Sequence, residues 1–147
     1  MFKHWFGRLG SVAALPALLL CGAAQAQGVS AADARAVRTM VEAQLKALAN
    51  AQGDKAFSYA SPVIRQQFGE AEVFMAMVRQ RYAMLIRPTA ISYFRAEGGD
   101  GVATQDVQFR DAQGRLWRAV YELERQPDKR WRIGGCIVVP CDEGSIS

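Results

Sequence analysis

The chain has 147 residues, half of them hydrophobic, and 18 basic against 14 acidic side chains give it a net charge of +4. That length suits one domain, and the charges are interspersed, without the basic run that a nucleic-acid footprint needs. The single histidine, His4, falls within the first few residues.

Taken in chain order, residues 1–26 read as a secretory signal peptide. Lys3, His4 and Arg8 form a short basic region, Val12 to Leu20 is an apolar core broken only by Pro16, and Ala24-Gln25-Ala26 supplies the small-x-small cleavage site. The apolar run is shorter than the roughly 20 residues that cross a bilayer. No later stretch is long enough either, so no membrane span is expected. Leu19-Leu20-Cys21-Gly22 has the outline of a lipobox, but Leu20 stands where a small residue belongs, so ordinary cleavage after Ala26 is expected. Processing leaves residues 27–147 as a single domain of the periplasm, with Lys3 and Arg8 gone and a net charge of only +2. Two cysteines survive, Cys136 and Cys141. An extended chain holds them roughly 16 Å apart at ~3.3 Å per residue, beyond disulfide reach unless the chain reverses at Pro140. Cys136 is expected to be a small packed residue, and the redox state of Cys141 stays open.

The first element of the domain is a helix from about Ala31 to Asn50. Ser30-Ala31-Ala32-Asp33 resembles a capping box, and Val37, Met40, Val41, Gln44, Leu45 and Leu48 recur at helical spacing. Gly53 is read as its end and Asp54 as the cap of a short second helix. Ser61-Pro62 reads as an N-cap with proline at the first helical position, and Gly69 closes that third helix. Glu70 to about Leu85 is a fourth, with Val73, Phe74, Met77, Val78 and Arg81 on one stripe, and Pro88 stops it.

The period then changes to two. Thr89 to Arg95, Val102 to Phe109, Arg115 to Glu124 and Arg130 to Val139 alternate, with hairpin-length turns between them. Helices followed by strands predict an α+β fold, with N-terminal helices packed on a bent four-stranded antiparallel meander. Trp117, Ala119, Tyr121 and Leu123 are predicted to face the helices. On the last strand Trp131, Ile133, Gly135, Ile137 and Val139 are predicted to do the same. Arg118, Glu122, Glu124 and Arg132 take the other side, where cross-strand pairing is available. The tail 142–147 is expected to fray.

The stretches Glu42-Ala43-Gln44-Leu45, Ala56 to Pro62, Phe74 to Val78, Leu116 to Leu123 and Trp131 to Cys136 carry a resemblance over nearly all of the mature chain. The order of elements resembles the nuclear transport factor two-like, or cystatin-like, cone. More closely, the chain resembles a bacterial family of small exported proteins, the domain of unknown function 4864. That resemblance implies a fold and no activity, and no catalytic residue is carried over from it.

Chemistry is constrained mainly by what is missing. Once His4 is removed, histidine triads, zinc hydrolase sites and two-histidine iron sites have no ligand or base within the chain. No catalytic residue, metal site or cofactor is assigned. Asp106, alternating with Val107 and Phe109, is placed on the surface. Met75 and Met77, two apart on a helix, point about 200° apart and read as core filler, not a copper site. Gly134-Gly135 lies within a strand, where a bulge or sharp bend is its expected use. Arg79, Arg81 and Arg87 read as a solvated helix end, with anion attraction as the alternative. Tyr59, Tyr82, Trp117, Tyr121 and Trp131 form the candidate ligand-binding set: they line the mouth of an open cone or fill the core of a closed one.

The leading expectation is a non-catalytic periplasmic binding or interaction module. Its partner is a small hydrophobic ligand or an envelope protein, or its own copy through the sheet face. One alternative is a cone-pocket isomerase, cyclase or dehydratase acting on a small hydrophobic molecule, which needs a buried carboxylate of raised pKa beside a tyrosine. The other is an accessory subunit of an envelope complex, using the polar strand face.

Overall fold

The computed structural model describes residues 3–4 and 28–141. The signal peptide read over 1–26, apart from Lys3–His4, and the tail 142–147 lie outside the described residues. Four helices come first: α1 (Ala31–Ala49), α2 (Gly53–Ser58), α3 (Pro62–Phe68) and α4 (Ala71–Arg81), the last followed by a 3₁₀ turn at Ala83–Leu85. The strands are β1 (Lys3–His4), β2 (Thr89–Tyr93), β3 (Glu97–Gly99), β4 (Val102–Arg110), β5 (Leu116–Arg125) and β6 (Trp131–Pro140). All pair antiparallel in the order β1-β6-β5-β4-β2, with β3 on the same edge of β4 as β2. The α+β architecture expected from the pattern is therefore present, and the first strand of the meander is broken in two. The interruption lies at residues 94–96, and β2 itself carries a one-residue register shift between Thr89 and Ser92, where Ala90 has a φ of 49°.

Helix ends follow local chemistry. Ser30 caps α1 by accepting from Asp33 N at 3.1 Å, and Ser61 caps α3 by accepting from Ile64 N, with Pro62 behind it. The capping box at α1 is half made, because the Asp33 carboxylate goes elsewhere, to Trp131 and Arg125. α1 stops without glycine. Ala51 takes a left-handed φ of 54°, Gln52 N donates to Ala47 O and Ala51 N to Leu48 O, which is the Schellman pattern. Gly53 is thus not the helix end, and Asp54 is not a cap, since both lie inside α2. Gly53 has a packing role instead: a Cβ there would stand 2.8 Å from Met75 Cγ, so the glycine lets α2 lie against α4.

The core lies between the helices and the concave side of the sheet. α1 contributes Val37, Val41, Leu45 and Leu48, while α4 and the turn after it contribute Phe74, Met75, Val78, Tyr82 and Leu85. Val73, expected on the apolar stripe, is half exposed, and Met75 takes the inward position because α4 is rotated toward Gly53. From the sheet come Ala103, Val107, Phe109, Ala119, Tyr121 and Leu123. Each fully buried large side chain contributes about 1.5–3 kcal/mol of transfer free energy.

On β6 the inward set differs from the alternation read in sequence. Glu122 lies opposite Gly135, but Leu123 lies opposite Ile133, so Gly134 is an extra residue, a bulge. Trp131 and Ile133 face inward before it, and Cys136 and Val138 after it. Ile137 and Val139 are displaced to the outer face, half buried. Two connections show familiar chemistry. Asp100 and Gly101 have φ of 54° and 79°, as a type I′ hairpin requires, and Asp111 Oδ1 accepts from Gln113 N and Arg115 N in the next turn.

Candidate functional site

The register of β4, β5 and β6 lays a polar row across the concave face. Gln105 is opposite Tyr121, and Tyr121 is opposite Cys136. None of the three is more than 1% exposed. Tyr82 reaches the same place from the end of α4, close enough that Cys136 acts on its hydroxyl. Burial, reinforced by the Cys136 thiol, pushes the Tyr82 and Tyr121 hydroxyls well above their ordinary range. Burial does the same to the Cys136 thiol. All three therefore hold their protons at neutral pH and offer hydrogen-bond donors, not nucleophiles or bases.

Gln105 secures one end of the row, donating from Nε2 to Phe94 O at 2.6 Å and to Asp106 O at 3.0 Å. Its Oε1 has no hydrogen-bond partner among the described residues. The Tyr121 hydroxyl interacts with the Cys136 thiol in a contact outside ordinary hydrogen-bond geometry. Gln105 puts a polar amide on an inward strand face otherwise made of Ala103, Val107 and Phe109. Its parity with Ala103, Val107 and Phe109 was the signal available in the sequence.

The five aromatic residues singled out above do not share one pocket. Tyr82 and Tyr121 are brought together in the core, fully buried. Tyr59 is half buried at the end of α2, and its backbone carbonyl accepts from Ile133 N at 2.9 Å. Trp117 and Trp131 sit on the neighbouring strands β5 and β6, at opposite ends of their pairing. Trp117 donates its indole N–H to Asp111 Oδ2 at 2.8 Å, with the Arg115 guanidinium 4.8 Å from its ring centre. That bond, followed by the turn's backbone donors, holds the Asp111 carboxyl below its ordinary pKa. Trp131 donates to Asp33 Oδ1 at 3.3 Å, and Arg125 lies 3.8 Å from the same carboxylate. This end is open. Trp131, Asp33, Arg125, Val29 and the Gly99–Gly101 hairpin line a cleft of about 220 Å³.

The remaining candidates take structural places. Asp106 lies on the outer face, as expected, and is ion-paired with Arg118. Arg87 donates to Ala49 O at 3.2 Å and so satisfies a terminal carbonyl of α1. Met75 is buried and Met77 half buried, both against the core. Among the described residues no group of three or more His, Cys, Asp or Glu is placed to hold a metal ion, and no helix is long and apolar enough to cross a membrane. Cys136 and Cys141 are free thiols, the first buried and the second partly so. Large apolar side chains do reach solvent along the outer side and edge of the sheet: Phe94 and Val102 are each 51% exposed and Ile91 38%.

The chain belongs to the family described as a domain of unknown function (DUF4864), which it matches over residues 30–145. No curated protein and no solved structure matches it.

Proposed function

We propose that this member of the family is a non-catalytic interaction domain of the bacterial cell envelope, exported by its N-terminal signal and working by contact with a partner protein. One observation carries the reading. The concave side of the sheet, where a cone-shaped enzyme would hold its substrate, is occupied by the protein's own Tyr82, Tyr121, Phe74 and Phe109, each no more than 1% exposed. Among the described residues the buried polar ones, Gln44, Ser61 and Gln105, are neutral, so none of them is a carboxylate that could move a proton. Large apolar side chains are exposed on the outside of the molecule instead, Phe94 and Val102 at the sheet and Val63 and Val73 on the helices.

A thermal-shift screen of the periplasmically recovered protein against apolar and anionic small molecules tests this. A compound at a hundred times its dissociation constant adds about 2.7 kcal/mol, a readable rise in Tm. The expected result is no such rise from any compound reaching the interior. A hit lost in Tyr121→Phe, with the variant still folded, would overturn the reading in favour of an internal pocket.

The open cleft favours a second reading, in which a small polar molecule docks against Trp131 between Asp33 and Arg125. Such binding would quench or shift Trp131 fluorescence and survive Tyr121→Phe.

A further inference from the structure

Hydrogen bonding along β6 divides its outer edge into a covered half and an open half. At Ile133 the edge is covered: Ser61 N donates to Ile133 O at 2.8 Å, and Ile133 N donates to Tyr59 O at 2.9 Å. Beyond the Gly134 bulge, antiparallel pairing with β5 alternates, and Cys141 N donates to Leu116 O at the far end. That parity commits Gly135, Ile137 and Val139 to β5. The N–H and C=O groups of Cys136 and Val138 point away from it. Among the described residues this second half is paired only with β1, Lys3 lying opposite Val138 and His4 opposite Ile137. Those two residues belong to the segment that the export reading removes. The stretch Ile133 to Pro140 carries no charge, so it lacks the lysines and acids with which edge strands usually discourage pairing. The opposite edge is protected, broken between β2 and β3 and bulged at Ala90.

We infer that the Cys136–Val139 edge of β6 pairs antiparallel with the same edge of a second copy of the chain, about a two-fold axis at Ile137. The inference rests on the export reading, because removal of Lys3–His4 is what frees the edge. Three observations select a second copy as the occupant. β1 shows that the edge accepts an antiparallel strand. The uncharged sequence carries nothing that would repel its own image. A two-fold axis at Ile137 also sets the free groups in register, Cys136 opposite Val138 of the other copy and Val138 opposite its Cys136, each pair exchanging two hydrogen bonds. Ile137 then faces its own counterpart in a non-hydrogen-bonded pair, where side chains approach most closely. Pro140, which has no N–H, ends the ladder.

The experiment is to express the full chain with its own leader, recover it from the periplasm, and read its N-terminus by mass spectrometry and its mass by sedimentation. A new N-terminus at Gln27 with a mass of two chains is the expected result. Ile137→Lys, which sets two like charges face to face, raises the dimer dissociation constant about tenfold or more, with an unchanged circular dichroism spectrum. Ile137→Cys gives an oxidised dimer joined at position 137, identified by peptide mapping, and this positive readout does not depend on the lysine variant folding. A processed chain that stays monomeric across the concentration series overturns the inference. So does a dimer that Ile137→Cys fails to cross-link, which would place the contact elsewhere on the sheet. Failure of the export reading shows separately, as an unprocessed N-terminus beginning at Met1.

Discussion

The two ends of the sheet use the same pair of side chains to opposite effect. At one end Trp117 donates to Asp111, six residues away, at 2.8 Å, and the same carboxylate gathers the backbone of its own turn. At the other end Trp131 donates to Asp33, 98 residues away, at 3.3 Å, with a distant Arg125 sharing the carboxylate. The first arrangement is local and closes with its hairpin. The second exists only when α1 has docked on the sheet, and it leaves a cleft beside it. A tryptophan–aspartate bond therefore fastens the fold where sequence separation is small. Where separation is large, it becomes a latch.

The strongest way to break this comparison is truncation. Trp117→Ala and Trp131→Ala should each cost about 3–5 kcal/mol in denaturant unfolding. Hydrogen exchange near Ser30–Ala34 should accelerate only in the second variant. Equal acceleration in both would mean that the two ends are not independent. Acid titration gives a smaller effect, specific to the Trp117 end. The Asp111 carboxyl is held low in the folded protein, chiefly by the Trp117 bond, so its contribution is complete above the unfolded aspartate value of about 3.9 and is lost as pH falls through the lower folded value. Melting temperature should thus fall more steeply below that pH in the native chain than in Asp111→Asn. Next comes a double-mutant cycle between Trp131→Phe and Asp33→Ala. Its coupling should be about 0.5–1.5 kcal/mol, as for one partly exposed hydrogen bond. The smallest effect is expected for Arg125→Gln, below about 0.5 kcal/mol, because its ion pair is long and solvated.

Much of the fold was legible because its signals are local. Ser61-Pro62 started a helix and Gly69 ended it, each by the chemistry of the residue itself. What was misread depends on distance. Gly53 looked like a helix end, yet its reason lies across space at Met75. Asp33 looked like half of a capping box, but its carboxylate serves a strand at the other end of the chain. On β6 strict alternation puts Ile137 and Val139 inside, but the extra residue at Gly134 shifts the parity, so Val138 turns inward beside Cys136, whose packed position was expected. The candidate site was less legible still. Periodicity turns Tyr121 inward, but it does not show that Trp117 and Trp131 part company or that Gln105 joins Tyr121.

The Gly134 bulge also bears on how this chain can change over time. Because one uncompensated residue decides which side chains of the last strand meet the core, gain of a single position between Gly134 and Cys136 would turn Cys136 and Val138 outward and bring Ile137 and Val139 in. Exchange of one small apolar residue for another along this segment alters only a volume. The strand is therefore permissive to substitution and strict about length, and related chains should vary its letters while preserving the number of residues between Trp131 and Pro140.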